Sequence, residues 1–444
     1  MISNSTFQAR RAKLMAQCRP SSLVIVPAAS QVTRSNDTEY PFRQDSDFWY
    51  LSGFNEPDAV LVMSNQLEGN KIQHSAVLMF VQPKDAHAEV WHGRRLGTAS
   101  APKELGLDEA YSLDSIEELL PELLNGHEHL YFSLDRNPAA DALVQAALAE
   151  CKAAPKQSMM APNTIIDVGP ILHQMRRIKS DAEIALMREA GIISADAHKR
   201  AMRFVKPGAF EYQLEAEIHH EFAMRGARYP AYGTIVGSGN NACILHYTEN
   251  SEQIKDGDLI LIDAGCELQG YAADITRTFP ANGKFSAPQK ALYQLVLDAQ
   301  LAALEQLKPG NTIADGMKAC VSVITHGLVD LGILSGEPED LIESEAWRTY
   351  FMHGLGHYLG LDVHDVGIYK HQGNDLPLEA GVVITVEPGL YISEQSKAPK
   401  QYRGIGIRIE DDIVIHATGH EVLTASVPKS ICDIEELMGS ANTL

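Results

Sequence analysis

A weak internal repeat in the second part of this chain constrains its fold more than any other feature. Two helical patterns end at Lys206-Pro207-Gly208 and at Lys308-Pro309-Gly310, and each is followed by a further helical pattern and by apolar strands. The runs GDLILIDAG (257–265) and GVVITVEPG (381–389) match in their glycines and in the position of one acid. We predict two similar halves, each built of two helices and a β-hairpin, packed around a pseudo-twofold axis.

The first predicted hairpin, DLILIDAGCELQGYAADITRTF (258–279), carries two acids among residues that should face a core. A two-residue loop at Leu268-Gln269 would place Asp263 directly opposite Asp274, and a loop at Gln269-Gly270 would make them diagonal neighbours. Both registers put the two side chains on one face of the sheet. Like charges on one face are destabilising and a buried unpaired carboxylate costs more, so this face must hold a cation or water.

The repeat places two further acids in matching positions of the second hairpin. Glu387 aligns with Asp263, and Glu410, like Asp274, lies four residues after a glycine. If the halves pack around one axis, the four carboxylates converge and require cations. Carboxylates favour Mg, Mn or Fe, and an added imidazole shifts the preference towards Mn, Co, Fe or Zn. Bridging carboxylates would hold two ions about 3.5–4 Å apart, an arrangement that suits hydrolysis.

The histidines of FMHGLGHYLGLDVHDVG (351–367) are candidates to complete such a site. In the sequence, these histidines lie between the two predicted hairpins that carry the acids: His353, His357 and His364. The glycines between the first two argue against a helical pair of metal ligands. The sequence contains no dinucleotide fingerprint, P-loop or GxSxG elbow. We therefore predict a hydrolytic metal site.

Charge and cysteine content exclude several classes of protein. A formal net charge of -21 argues against nucleic-acid binding and against attraction to an anionic membrane. The cysteines are scattered, the N-terminus has no apolar signal segment, and no apolar run is long enough to span a membrane. We expect a cytoplasmic protein without nucleic-acid or membrane partners.

The fold class is predicted to be α/β (α+β) with two domains. In the first part, the predicted strands are SSLVIVPAA, DAVLVM, SAVLMFVQ and HLYFSL, and the predicted helices are SIEELLPELL and AADALVQAALAECKAA. The segment 154–170, which contains proline and glycine, is predicted to connect the domains, and Ser180 with Glu183 forms a capping box that starts the next helix. We place an N-terminal α/β domain at 1–175 and a catalytic domain at 176–444.

The sequence resembles the pita-bread metallopeptidases, the family of methionine aminopeptidase, prolidase and aminopeptidase P. The resemblance rests on LIDAG, AADITRTF, HGLGH, VEPG and GIRIEDD and covers the whole second part. In the first part, YPFRQDSDFWYLSGFNEPDAVLV (40–62) and EVWHGRRLG (89–97) are similar to bacterial aminopeptidase P. This resemblance implies a smaller N-terminal α/β domain before a pseudo-twofold pita-bread domain.

The resemblance also implies five metal ligands. Asp274 and Glu410 would bridge two divalent ions, usually manganese (Mn2+). Asp263 would chelate one ion, and His357 with Glu387 would complete the other. A hydroxide held by the two ions would attack the carbonyl of the first residue of a peptide with proline second, and Glu387 would carry a proton to the leaving nitrogen.

Further residues are implied around these ligands. His246, His353 and His364 resemble three outer histidines of the family, which would bind substrate and stabilise the developing oxyanion. Arg408 is predicted to orient the carboxylate of Glu410, two residues further along the same strand.

Recognition of proline requires an apolar wall, because the bond before proline is a tertiary amide without an N–H group. Tyr391 and Trp91 are the candidate wall residues. The resemblance implies that Trp91 reaches the site of a neighbouring subunit, in a homotetramer built through the N-terminal domain.

Two alternatives to an Xaa-Pro aminopeptidase stay open. An Xaa-Pro dipeptidase (prolidase) would use the same ligands, although the N-terminal segments favour the aminopeptidase. A non-catalytic peptide-binding protein on this fold would be expected to have lost ligands, and all five are present here.

Overall fold

The chain separates into two compact units, Met1–Met175 and Arg176–Leu444. The computed structural model describes residues 2–65 and 77–441. Within those two ranges, no helix is long and apolar enough to cross a membrane.

A mixed sheet forms the centre of the first unit. The strands are β1 (Ser22–Pro27), β2 (Thr33–Ser35), β3 (Thr38–Glu39), β4 (Val60–Ser64), β5 (Val77–Val81), β6 (Glu109–Ser112), β7 (His129–Tyr131) and β8 (Thr164–Ile166). The helices are α1 (Asn4–Met15), α2 (Ser46–Ser52), α3 (Ala86–His92), α4 (Gly97–Leu105), α5 (Ile116–Leu124) and α6 (Pro138–Ala153). The described strands of the main sheet are ordered β6-β5-β4-β1-β7-β8, and their apolar side chains pack against α5 and α6.

The four strands and two helices predicted in this unit are confirmed as β1, β4, β5, β7, α5 and α6. The first two residues of the predicted run SAVLMFVQ lie outside the described residues. The segment 154–170 is more than a connection, because Thr164–Ile166 pairs with β7 as an edge strand. A three-residue apolar run between proline and glycine is too short to be recognised as a strand from its pattern.

The second unit repeats a pair of helices followed by strands. After α7 (Gly169–Arg177), the helices are α8 (Asp181–Phe204), α9 (Glu211–Met224), α10 (Ala287–Gln306), α11 (Ile313–Asp330), α12 (Pro338–Glu343) and α13 (Ile431–Ala441). The strands are β9 (Tyr229–Pro230), β10 (Ile235–Ser238), β11 (Leu259–Asp263), β12 (Cys266–Leu268), β13 (Tyr271–Ala272), β14 (Thr276–Pro280), β15 (Lys370–His371), β16 (Asn374–Asp375), β17 (Val383–Val386), β18 (Gly389–Ile392), β19 (Ile405–Arg408), β20 (Asp411–Ile415) and β21 (His420–Val422). The two helices predicted in each half are present, and so is the capping box of Ser180 and Glu183. In addition, α8 packs on α9 and α10 packs on α11.

The register of the first hairpin answers the question that the sequence left open. Its loop is Gln269-Gly270, whose φ values of 52° and 88° are both positive, as a type I′ turn requires. Asp263 therefore pairs with Thr276, and Asp274 is its diagonal neighbour.

The second hairpin has a different register. Val386 pairs with Asp411 and Gly389 pairs with Arg408, so the intervening Glu387 lies opposite Glu410.

Hydrogen bonds and ion pairs join β14 of the first hairpin to the second hairpin. The amide of Glu410 donates to the carbonyl of Thr276 at 3.1 Å. Nη2 of Arg277 lies 2.6 Å from Oδ1 of Asp411, with both side chains fully buried. These contacts bring the acids of the two hairpins to one place.

Candidate metal centre

The two hairpins and the loop 351–367 form one end of a cavity of about 710 Å³. All five predicted ligands line this cavity: Asp263, Asp274, His357, Glu387 and Glu410. One ligand atom from each of Asp274, His357 and Glu410 lies within 4.8 Å of the other two. The structure thus brings together side chains that are up to 147 residues apart in the sequence, by the numbers of Asp263 and Glu410.

The ring of His357 is oriented with one nitrogen towards the acids. Its Nδ1–H donates to the carbonyl of Tyr358 at 3.0 Å, which leaves Nε2 as the nitrogen available to a metal. Nε2 lies 3.5 Å from Oδ2 of Asp274 and 3.5 Å from Oε1 of Glu387. Burial opposes protonation of this ring, but the hydrogen bond and charge of Asp274 and the charge of Glu387 outweigh it and raise the pKa of His357 to about 9.

Burial and mutual repulsion raise the pKa values of the clustered carboxyl groups. Burial and the charge of Asp263 raise the pKa of Asp274, and burial with the charge of Asp274 raises that of Glu410 well above its ordinary value. Burial raises the pKa of Glu387 to about 7, against the opposing charges of His357 and Arg408. These carboxyl groups resist ionisation because each would add a negative charge to a buried cluster. Cations between them would stabilise the ionised forms, so the residues present fit a site for divalent metal ions.

Neutral hydroxyl groups hold the carboxylates in place. Thr276 donates to Oε2 of Glu410 at 2.6 Å, and Thr385 donates to Oε1 of Glu387 at 3.2 Å. Sequence reasoning missed both threonines, although each lies two residues from a predicted ligand on the same strand face.

The hydroxyl of Tyr232 is a further contact that sequence reasoning missed. It lies 2.6 Å from Oδ1 of Asp263 and 2.5 Å from Oδ1 of Asp274. One hydroxyl proton can be donated to only one of these oxygens at a time, so Tyr232 links the two acids. It stands 31 residues before Asp263, and no spacing in the sequence marks it.

The three predicted outer histidines also line the cavity. The ring of His364 lies 4.3 Å from that of His357, centroid to centroid, in an edge-on arrangement. Nδ1–H of His353 donates to the carbonyl of Gly354, and its Nε2 lies 2.8 Å from the hydroxyl of Tyr391. Burial and the charge of Arg408 lower the pKa of His353 to about 4, so this ring is neutral near pH 7.

The loop that carries His246 is fixed by a buried carboxylate on α9. Glu211 is fully buried and accepts hydrogen bonds from the amide of Ser238 at 2.8 Å, the hydroxyl of Tyr247 at 2.8 Å and the amide of Glu252 at 2.9 Å. These bonds hold the loop on both sides of His246.

Arg408 contacts a different acid from the one predicted. Its Nη2 donates to Oδ2 of Asp263 at 2.5 Å, and its Nε donates to Thr276 at 2.9 Å. The predicted role of Arg408 in orienting Glu410 stays a prediction. The link between them is indirect, because Thr276 accepts a hydrogen bond from Arg408 and donates one to Glu410.

The two candidate wall residues occupy unequal positions. Tyr391 is 3% exposed and lies behind the cavity wall, where its hydroxyl contacts His353 and accepts a hydrogen bond from Nη1 of Arg408 at 3.1 Å. The structure therefore places Tyr391 behind His353 and not in the cavity wall, where it was predicted. Trp91, on α3 of the first unit, is 73% exposed, and its predicted contact with a neighbouring subunit stays a prediction.

Family comparison agrees with this geometry. Residues 185–417 match the sequence profile of metallopeptidase family M24. The chain belongs to metallopeptidase family M24. In this M24 member, residues 7–131 also match the profile of the aminopeptidase P N-terminal domain.

Full-length relatives narrow the comparison further. The M24 chain is 52% identical over 440 residues to Xaa-Pro aminopeptidase of Escherichia coli strain K12, which covers 99% of each protein. It is 37% identical over 452 residues to human Xaa-Pro aminopeptidase 3, covering 99% of this chain and 87% of the human protein. It superposes with a TM-score of 0.97 on zinc-substituted E. coli aminopeptidase P in complex with product, at 52% identity and 99% coverage of both chains. These matches confirm the predicted fold class, family and enzyme class, a metallopeptidase hydrolase of the Xaa-Pro aminopeptidase type.

Proposed function

We propose that this metallopeptidase releases the N-terminal residue from peptides with proline at the second position. The observation that carries the proposal is the convergence of four buried or half-buried carboxylates and one imidazole at the end of a cavity large enough for a short peptide. The names of the full-length relatives support the choice of substrate.

In this proposal the site holds two divalent ions, manganese (Mn2+) in the working enzyme. Asp274 and Glu410 would lie between them, Asp263 would hold one, and His357 with Glu387 would hold the other. When bound, the ions would supply hydroxide at neutral pH and polarise the scissile carbonyl.

Side chains of the protein perform the remaining steps. Glu387 would accept the proton that the attacking water loses and pass it to the nitrogen of proline, which leaves as a protonated amine. His246 and His364 line the cavity and would donate to the carbonyl oxygen as charge develops on it. The single N–H of the neutral His353 donates to the carbonyl of Gly354, so we assign His353 to substrate binding by contact at the cavity wall. Arg408 orients Asp263 through the hydrogen bond from its Nη2 to Oδ2 of that carboxylate.

Hydrolysis of an Xaa-Pro-Xaa tripeptide, an Xaa-Pro dipeptide and an Xaa-Ala-Xaa tripeptide tests the proposal, with each peptide assayed after manganese loading and after chelation. We expect metal-dependent cleavage of the proline tripeptide and slower cleavage of the other two. Cleavage of the dipeptide alone would make the enzyme a dipeptidase, and no cleavage by the loaded enzyme would contradict the proposal.

We also propose that the enzyme works in the cytoplasm as a homotetramer. The absence of paired cysteines among the six of the chain is compatible with that compartment. The exposed Trp91 on α3 is the surface residue that we assign to a neighbouring subunit's site.

A further inference from the structure

The turn that carries His364 is bound to β17 at its start and is closed by a hydrogen bond of its own backbone at its end. Before the turn, the amide of Leu359 donates to the carbonyl of Val383 in β17 at 3.1 Å. After it, the amide of Asp365 donates back to the carbonyl of Tyr358 at 2.8 Å. The residue next to His364 thus fixes where the turn closes.

A buried ion cluster holds the side chain of that residue. Asp365 is 1% exposed, and its carboxylate lies 2.9 Å from Nζ of Lys179 and 2.6 Å from Nη2 of Arg176. Both cations are also buried, at 1% and 2% exposure. They belong to the segment that leads into α8, and this segment is itself bound to the start of β17, since the amide of Lys179 donates to the carbonyl of Gly381 at 2.8 Å.

The turn has a glycine where the cluster needs space. A Cβ atom at Gly360 would lie 2.2 Å from Oδ2 of Asp365 and 2.9 Å from Cε of Lys179. Any side chain there would separate the two charges. The sequence of the turn is therefore fitted to the ion pair.

Stability alone does not account for this cluster. Removing charges from water costs several kcal/mol per ion, and apolar residues of similar volume often replace buried ion pairs without loss. Apolar contacts do not fix the orientation of a side chain. A carboxylate bound to two cations, in contrast, is held in one orientation. His364 immediately precedes Asp365 in the chain, and its side chain lines the cavity. A fixed orientation of Asp365 therefore also fixes the backbone from which His364 extends.

We propose that Lys179 and Arg176 are positioning residues that act through Asp365 to hold His364 at the cavity wall. The inference rests on the proposed function, in which His364 contacts the substrate. Neither cation lines the cavity, and the side chains of both are bound to carboxylates of the turn. We therefore expect them to affect catalysis through the turn.

A double-mutant cycle tests the inference. Lys179→Met leaves Arg176 paired with both Asp365 and the neighbouring Asp362, so the buried carboxylate keeps a cationic partner. With an Xaa-Pro-Xaa tripeptide, this variant is expected to lose about 10- to 100-fold in kcat/KM with its metal content unchanged. In a chain that already carries His364→Ala, the same change is expected to cause no further loss, because the two residues act as one unit.

The control lies on the same segment. Arg177 is 3% exposed and pairs with Glu379, which is outside the turn, so Arg177→Met should keep its activity. Equal losses from Lys179→Met with and without His364→Ala, or an equal loss from Arg177→Met, would overturn the inference and leave the proposed function standing. Full activity of His364→Ala would instead remove the proposed role of His364, and the inference with it. If Lys179→Met does not fold, Arg176→Met, which leaves Asp365 paired with Lys179, goes through the same cycle.

Discussion

Single hydroxyl groups and one guanidinium fix the positions of the acids that we assign to the metal ions. Tyr232 links Asp263 to Asp274, and Thr276 and Thr385 hold Glu410 and Glu387. These hydrogen bonds orient the carboxylates, as a precise metal site requires. Strand alternation could have identified the two threonines from the sequence, but Tyr232 approaches from a distant segment and only the fold reveals it.

Replacement of the proposed proton carrier tests the chemistry at one atom. Glu387→Gln keeps the shape of the side chain but cannot exchange a proton, so kcat for an Xaa-Pro-Xaa tripeptide should fall by at least about 100-fold. The thermal midpoint should stay close to that of the parent protein. Substantial remaining turnover would remove Glu387 from the proton-carrying role.

Loss of the Tyr232 hydroxyl should weaken metal binding. In Tyr232→Phe the two aspartates lose their common partner, and we expect the affinity for manganese to fall by about 10- to 100-fold in a calorimetric titration. Tyr293→Phe is the matched control, because the hydroxyl of Tyr293 is also buried but donates to the carbonyl of Lys429 at 2.9 Å. Equal affinities of the two variants would contradict the role of Tyr232.

At the scale of elements, the repeat predicted the helix pairs and the hairpins, because the spacing of apolar residues is local information. The sequence narrowed the first hairpin to two registers, and the positive φ values of Gln269 and Gly270 decide between them. Contacts between the two hairpins could not be predicted from the sequence, because they depend on how the hairpins pack. Arg408 was assigned to the acid on its own strand, whereas its nearest acid, Asp263, belongs to the other hairpin.

The link between the hairpins should dominate the stability of the second unit. Asp411→Asn leaves the buried Arg277 without its counter-charge, which should cost about 3–5 kcal/mol. The control is Glu421→Gln, because Glu421 and its partner Arg188 are 36% and 39% exposed, and a pair so exposed contributes about 0–1 kcal/mol. Similar losses of thermal midpoint in the two variants would contradict the assignment.

The same pair gives a dependence on pH. Burial alone would raise the pKa of Asp411, but the charges of Arg277 and Lys429 outweigh it and lower the pKa below the ordinary 3.8. The stabilisation is therefore present above pH 3.8 and is lost as the pH falls through the lowered pKa. The gap in thermal midpoint between the parent protein and Asp411→Asn should narrow in acid, and a constant gap would count against the pair.

At the scale of the whole molecule, each of the two units contains some of the residues that we assign to the site. The proposed metal ligands all belong to the second unit, and Trp91 belongs to the first. No pattern in the sequence is a physical argument for assembly, so the proposed tetramer depends on the family resemblance alone. We expect analytical ultracentrifugation to give a mass four times 48.6 kDa, and a monomer would contradict the proposed role of Trp91.

Replacement of that tryptophan tests the assembled site. Trp91→Ala should raise KM for the tripeptide about 5- to 30-fold with little change in kcat, the effect of losing about 1–2 kcal/mol of contact. Val90→Ala, on the same exposed helix, is the control and should leave KM unchanged. If Val90→Ala raised KM more than Trp91→Ala did, Trp91 would not be part of the site.

Two divalent ions held by the acids of both hairpins are the central claim, and anomalous diffraction from manganese-loaded crystals measures them directly. We predict two peaks about 3.5–4 Å apart, with Asp274 and Glu410 in contact with both peaks and His357 in contact with one. A single peak, or peaks away from these side chains, would contradict the claim.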